Sequence, residues 1–305
     1  MATELLIVTD ALLKERDGVR CHPAVLPWQD KFAGRRRQWF SCSNRNPLSW
    51  YASILDVPPS QLLAGCTTAI APEARQCWVA SPYHAQLMRD AVRVLPEGQL
   101  LWSAEDASRI AAVLNPLLAE EHMQLHAIGA AMLLTCRDPL DAWPVGFGAI
   151  SGDQLPNSPI EGEDGGRLDR LLSELQMLLF QHPSLERHAR NEPDINGIWL
   201  WGGSSLPQTP AHRQLPVATR NPFLQSVVDG RNAKLMISEA SLLDLLLQPG
   251  ASMPANLLLA GDNKAVLLTK SWWPAFGKAS WGHDAWLPDL EQDEVMLFNH
   301  IAGLL

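Results

Sequence analysis

The chain has 305 residues, of which 47% are hydrophobic and 19% are charged, enough to bury one large core or two ordinary ones. Its net charge of −9 and pI near 5.4 argue against a nonspecific nucleic-acid-binding protein, which needs a basic surface to displace counterions from phosphates. The five cysteines are widely spaced and form no C-x-x-C pair, which argues against structural zinc and fits a reducing compartment.

The amino terminus shows no targeting signal. Residues 1–4 lead directly into a short apolar run, without the basic segment and the longer apolar segment of a signal peptide. Nowhere does the chain contain an apolar run of about eighteen residues, the length that a transmembrane helix needs. We therefore expect a cytoplasmic protein with no membrane partner.

The first half of the sequence predicts several short strands. The apolar run 5–8 is typical of a buried strand, and it places Asp10 near its carboxyl end, where polar groups often face a ligand in open α/β sheets. A short helix is predicted over 47–55. Alternating apolar residues predict further strands over 77–80, 91–95, 123–126 and 131–135.

The clearest helix of the first half follows Ser103. This serine is a good N-cap, with Asp106 three residues on, and apolar residues then recur at helical spacing as far as Glu120. The apolar positions are Ile110, Val113, Leu114, Leu117 and Leu118. They predict one buried helix face.

A loop rich in glycine, proline and acidic residues, 151–166, precedes a second helix. Its composition makes it a candidate boundary. An apolar stripe from Leu168 to Leu179 then predicts a helix that ends at His182, because Pro183 disfavours helical backbone in the residue before it.

The rest of the chain alternates strands and helices. The predicted elements are a strand over 195–201, a tight turn over 202–205, a strand over 234–237 leading to a helix capped by Ser238, a hairpin of 257–260 and 266–269, and a terminal helix opened by the acidic stretch after Pro288. This order predicts an α/β fold, a mixed sheet flanked by helices. We expect one unit over 1–305, with a candidate sub-boundary in the loop 151–166 between 1–150 and 167–305.

The segment 171–207 carries a family resemblance. It contains a helix ending in E-x-Q-M-L-L, the pair His182-Pro183, a short basic stretch, and the string N-x-x-W-x-W-G-G from Asn196 to Gly203. This pattern resembles the bacterial RpfE-type regulatory proteins, and a related string occurs in archaeal-type cofactor-independent phosphoglycerate mutases of the alkaline phosphatase superfamily. The stretches 80–84 and 272–276 are similar to other strings of that family. The resemblance implies a reduced alkaline-phosphatase or phosphoglycerate-mutase-like fold.

The resemblance also implies a ligand-binding region around this string. Its candidate residues are His182, Arg190, Asn196, Trp199, Trp201, Gly202 and Gly203. Structural roles are the alternative: His182 could cap the helix, Asn196 could bond a neighbouring turn, and the tryptophans could pack in the core. Arg190 and His84 are candidate anion contacts, with structural or surface roles as the alternative.

Catalysis as in the phosphoglycerate mutases of this superfamily would need metal ions. Phosphoglycerate mutases of this superfamily hold two divalent metals with Asp and His ligands and use a Ser or Thr nucleophile. Here Asp10 and His84 are the catalytic candidates, and Asp10, His283 and Asp284 are the metal-binding candidates. The carboxyl-terminal third lacks the spacing of the family's ligand strings, and this departure from the family pattern favours a scaffold that has lost its metal site.

Three functions are open. The first is a regulatory or ligand-binding protein on a degenerate phosphoglycerate-mutase-like scaffold, without a cofactor, which binds a small anionic or phosphorylated ligand or a protein partner. The second is a metal-dependent phosphomutase or phosphomonoesterase, which would need manganese or zinc. The third is a structural protein that assembles as a homodimer through tryptophan-rich surfaces. We expect the first, with no nucleic-acid partner.

Overall fold

The computed structural model describes residues 5–8, 13–14, 20–21, 35–41, 46–55, 57–182, 187–206, 217–218, 223–224, 226–227, 255–260, 264–270 and 291–292. Contacts divide the chain into two compact units. One unit comprises Met1–Pro47, Arg213–Asn221 and Asn232–Leu305, and the other comprises Leu48–His212 and Pro222–Arg231. The loop 151–166, the candidate sub-boundary, lies inside the second unit.

The described residues form the strands and helices of an α/β protein, which confirms the predicted class. The strands are β1 (Leu5–Val8), β2 (Leu13–Lys14), β3 (Arg20–Cys21), β4 (Arg35–Ser41), β5 (Gln76–Tyr83), β6 (Ala85–Leu87), β7 (Val92–Val94), β8 (Met123–Ile128), β9 (Ala131–Cys136), β10 (Gly197–Ser205), β11 (Val217–Ala218), β12 (Asn256–Ala260), β13 (Lys264–Lys270) and β14 (Glu291–Gln292). The α-helices are α1 (Pro47–Leu55), α2 (Pro59–Ala64), α3 (Ala104–Glu120), α4 (Phe147–Ile150) and α5 (Gly165–Gln181). Among the helices described, none combines the length and the apolar character needed to cross a bilayer.

The first unit contains a mixed sheet. In its described residues the strand order is β11-β1-β12-β13-β4-β14. β1 runs parallel to both of its neighbours, β11 and β12. β13 lies between β12 and β4 and is antiparallel to both. The runs 257–259 and 265–268 are fully buried, as expected for strands covered on both faces.

Two predictions for this unit meet different outcomes. The hairpin is confirmed, because β12 and β13 are antiparallel partners. The terminal helix is wrong at its start, since Glu291 and Gln292 form a strand that pairs in parallel with Trp39 and Phe40 of β4. The partner strand overrides local helix preference here. The predicted strand 234–237, the Ser238-capped helix and the stretch 272–276 lie outside the described residues.

The second unit is built on an antiparallel sheet with the order β10-β5-β9-β8. All of β9 and all of β5 after Gln76 are buried, so both faces of these central strands are covered. Helix α3 contacts β8, helix α5 contacts β10, and α2 contacts β5 and β10. The short strands β6 and β7 form a separate hairpin.

The two long helices of this unit confirm their predicted limits. The Ser103 Oγ accepts a hydrogen bond from the Asp106 N–H at 3.2 Å, which is the predicted N-cap of α3. Helix α5 ends at Gln181, and the His182 backbone N–H closes its last turn by donating to the Leu178 carbonyl, so the helix ends where it was predicted to end. The apolar stripe of α5 is buried at Leu168, Leu171, Leu172, Leu175 and Leu179.

The predicted turn after Trp201 is wrong, because β10 continues through both glycines to Ser205. The register against β5 shifts between Trp201 and Ser204, which marks a β-bulge. Gly202 supplies a positive φ of 61° at this bulge. A Cβ on Gly203 would lie 2.5 Å from the Trp78 ring, so the strand can approach that indole only through a glycine.

Candidate functional site

The segment before β10 is fastened to the start of α3 by a buried arginine. Arg187 is 1% exposed, and its guanidinium donates to the Asp106 carboxylate at 2.6 Å. It also donates to the carbonyls of Pro193 and Leu100. A buried guanidinium is tolerated only where its donors are paired, so these bonds fix the segment in place.

Arg190, a predicted anion contact, belongs to the same cluster. Its guanidinium bonds Asp106 at 2.9 Å and Glu192 at 3.0 Å. The hydrogen bond to Glu192, with further support from Asp106, raises the pKa of Arg190 above its ordinary value. Arg187, Arg190, Asp106 and Glu192 together carry two charges of each sign, so the cluster offers little net attraction to an incoming anion.

Asn196 pairs with the backbone. Its carboxamide donates to the Ala85 carbonyl at 2.8 Å and accepts from the Ala85 N–H at 2.7 Å. Both polar atoms of the side chain therefore have protein partners, as in the turn-bonding alternative. The neighbouring His84 Nδ1 lies 2.8 Å from the Asp194 carbonyl, which ties the same two stretches together.

Two further carboxamides repeat the arrangement seen at Asn196. Asn115 donates to the Leu125 carbonyl at 3.0 Å and accepts from the Leu125 N–H at 2.7 Å. Gln76 donates to the Leu140 carbonyl and accepts from the Leu140 N–H, both at 2.9 Å. Each carboxamide thus bonds the N–H and the carbonyl of one residue, as the backbone of a neighbouring strand would. We call the side chains of Gln76, Asn115 and Asn196 amide braces.

The two tryptophans of the string lie in the core. Trp199 and Trp201 are 7% and 3% exposed. The Trp199 indole N–H donates to the Val145 carbonyl at 2.8 Å, and the Trp201 indole N–H donates to the Ser81 hydroxyl at 2.9 Å. Their arrangement is that of packed core tryptophans with satisfied N–H groups. Of the predicted region, the most exposed side chains are those of His182 and Arg190.

A groove that the sequence did not indicate lies where α3 ends and β8 begins. Its volume is about 360 Å³, within the range of small-molecule sites. The side chains of Glu73, His122 and Arg137 line it together with the Cys136 thiol and with apolar groups that include Ala119 and Met123. We call this site the β8 groove. Its residues come from four separated stretches, and no motif connects them.

Backbone bonds bring the charged residues of the β8 groove together. The Arg137 N–H donates to the His122 carbonyl at 3.1 Å, next to the registered pair of Met123 and Cys136. The Arg75 N–H donates to the Cys136 carbonyl at 2.9 Å, which holds the turn containing Glu73 against the end of β9.

Two other groups in or behind the β8 groove are chemically quiet. Burial raises the pKa of the Cys136 thiol to about 12, so it is a poor nucleophile at neutral pH. Behind the groove, the buried His126 Nε2 lies 2.9 Å from the Thr135 hydroxyl. Burial lowers the pKa of His126, which favours the neutral imidazole.

A second open cavity, of about 430 Å³, lies beside the β6–β7 hairpin. Arg89, Asp90, Arg93 and Asp153 line it, and the tip of the hairpin is exposed at Leu87 and Met88. Opposite charges are present here in equal number.

The metal-binding candidates from the sequence, Asp10, His283 and Asp284, lie outside the described residues. Within the part of the chain that the structure describes, no three His, Cys, Asp or Glu side chains form a group that could hold a metal ion. His84, the remaining catalytic candidate, bonds the backbone as described above.

Comparisons with known proteins give a distant structural likeness. No family model matches the chain, and no curated protein matches it. Among solved structures, the cofactor-independent phosphoglycerate mutase from Thermoplasma acidophilum DSM 1728 is similar over 99% of both chains, with 11% sequence identity and a TM-score of 0.39. The assignment of the α/β class rests on the described strands and helices, and this likeness adds no argument about chemistry.

Proposed function

We propose that this chain is a small-ligand-binding protein of regulatory type, related to the RpfE-type proteins and built on a phosphoglycerate-mutase-like scaffold, without metal-dependent catalysis. The observation that carries the proposal is the β8 groove, a concavity lined by Glu73, His122 and Arg137 together with apolar groups. Ligand sites commonly have this form, a mostly apolar concavity with a few polar groups that orient the ligand.

The string from Asn196 to Gly203 supports a retained scaffold. Its carboxamide and indole groups bond the protein, and its glycines shape the bulge beside Trp78. A sequence can keep these residues for their packing after the chemistry of an ancestor is lost. Under this proposal the resemblance to phosphoglycerate mutases reflects architecture, and ligand recognition takes place in the β8 groove.

The proposal is tested by three measurements on the purified full chain. We expect no turnover of a generic phosphomonoester with added manganese, and no stoichiometric metal after purification without chelator. A screen of amino acids, small carboxylates and phosphate esters should contain a compound that raises the melting temperature, because binding to the native state alone stabilises it by about 2.7 kcal/mol at a hundredfold excess over Kd.

A matched pair of variants locates the binding. Ala119→Trp on α3 places a large ring in the β8 groove, whereas Ala112→Trp adds the same ring at an exposed position of α3 outside the residues that line it. The ligand should stabilise the Ala112 variant and lose its effect on the Ala119 variant. Two equivalents of bound metal together with turnover would instead establish the phosphomutase or phosphatase alternative.

A further inference from the structure

The β8 groove contains opposite charges that do not neutralise each other. Arg137 has an ion pair with Asp138 at 3.4 Å, and both side chains are about half exposed. Such surface pairs contribute little and exchange readily. Among the described residues, no ion pair joins Glu73 to Arg137, although the backbone bonds at Arg75 and Arg137 hold their segments side by side. The groove therefore presents an accepting carboxylate and a donating guanidinium to a ligand.

Other polar groups of the β8 groove are already committed to the protein. The Asn115 amide is bound to Leu125, and the Thr135 hydroxyl lies against His126. The groups left to recognise a ligand are the carboxylate of Glu73, the guanidinium of Arg137, the imidazole of His122 and the exposed carboxamide of Gln124. Ala119 and Met123 add apolar surface to the same lining, against which a small apolar side chain can pack.

From this placement we infer that the β8 groove binds a small zwitterion of the size of an amino acid. Arg137 receives the ligand's carboxylate as a charge-assisted hydrogen bond, and Glu73 receives its ammonium group. This inference rests on the proposed binding function and makes it more specific. A simple organic anion would satisfy Arg137 and leave Glu73 as a repulsive neighbour, so the groove should discriminate against it.

The test uses three forms of each probe. Free L-amino acids carry both charges, their N-acetyl forms lack the ammonium group, and their methyl esters lack the carboxylate. Titrations of the full chain should give a free amino acid that binds at least about tenfold more tightly than either derivative, since each charge-assisted bond is worth that factor or more.

Variants connect each preference to one residue. Glu73→Gln should remove the preference for the free amino acid over its N-acetyl form, and Arg137→Gln should remove the preference over its methyl ester. Arg89→Gln, in the cavity beside the β6–β7 hairpin, removes a charge of the same kind as Arg137 and should leave all three affinities unchanged.

Each outcome decides the inference separately from the proposed function. If N-acetyl forms bind as tightly as free amino acids, or if no amino acid binds, the zwitterion inference is wrong. The proposed function still holds when organic anions stabilise the chain and Ala119→Trp abolishes that effect. Metal-dependent turnover without any such stabilisation would overturn both.

Discussion

The segment 187–196 and the β8 groove are two polar regions of the same unit with opposite organisation. In the segment, the charges of Arg187, Asp106 and Arg190 bond one another and nearby carbonyls. In the groove, backbone hydrogen bonds hold the segments of Glu73 and Arg137 side by side, but no ion pair joins these two side chains. Buried ion pairs fix a structure, whereas charges at a concave surface that have only an exposed ion pair, or none, remain available to a ligand. The sequence candidates Arg190 and Asn196 belong to the segment, whose polar groups bond the protein itself.

The largest expected effect comes from breaking the buried cluster. Arg187→Met should lower the free energy of unfolding by about 3–5 kcal/mol, because the Asp106 carboxylate would keep its burial and lose its closest charged partner. Urea unfolding measures the change. Arg190→Met, at a more exposed position of the same cluster, should cost much less, and equal costs would contradict the assignment of Arg187 as the anchor.

A glycine substitution at the bulge in β10 should change the stability of the protein less than Arg187→Met, and a glycine in α5 provides a control. Gly203→Ala should destabilise the protein by about 1–3 kcal/mol, since the new Cβ would lie 2.5 Å from the buried Trp78 ring. Gly166→Ala adds the same methyl group in α5, where nothing lies within 4 Å, and should stabilise by up to about 1 kcal/mol. Thermal unfolding of both variants compares them directly. A tolerated Gly203→Ala would show that the string is not fixed by packing.

The smallest effect concerns pH and the wall behind the β8 groove. Burial lowers the pKa of His126, so below about pH 6.5 the unfolded state binds more protons than the folded state and stability falls as the pH falls. The decrease continues until the pH reaches the lower folded-state pKa. His126→Gln should reduce this dependence in urea unfolding at a series of pH values.

A second variant separates burial from hydrogen bonding at His126. Thr135→Val removes the hydroxyl that lies 2.9 Å from the imidazole but keeps the imidazole buried. The pH dependence should persist in this variant, because desolvation causes the pKa shift. An unchanged pH profile in His126→Gln would assign the dependence to another group.

Local signals predicted the two long helices of the second unit, α3 and α5, but not the short helices α2 and α4. The Ser103 cap and the apolar spacing that follows it are short-range features, and they fix α3 at Ala104–Glu120. The stripe of leucines fixed α5 in the same way. Where a partner strand decides the conformation, local signals were misleading. Gly202 and Gly203 have the composition of a turn, yet pairing with β5 keeps them in a bulged strand.

The β8 groove could not be found from the sequence for a related reason. Glu73, His122 and Arg137 lie in turns or at strand ends, and each has an ordinary sequence neighbourhood. They come together only because β8 and β9 pair in one register and the turn before β5 is bonded to Cys136. The position of His122, two residues after the end of α3, was the only local signal, and it also fits a simple helix end.

The amide brace at Asn115 has a consequence for the protein in solution. Strand β8 lies at the edge of the second unit's sheet, and an open edge can recruit a strand from another molecule and start aggregation. Asn115 occupies both the N–H and the carbonyl of Leu125, near the middle of β8. The Asn115 side chain thereby occupies the backbone groups that a strand from another molecule would bond. This protects the edge of the sheet from intermolecular β-sheet growth at Leu125.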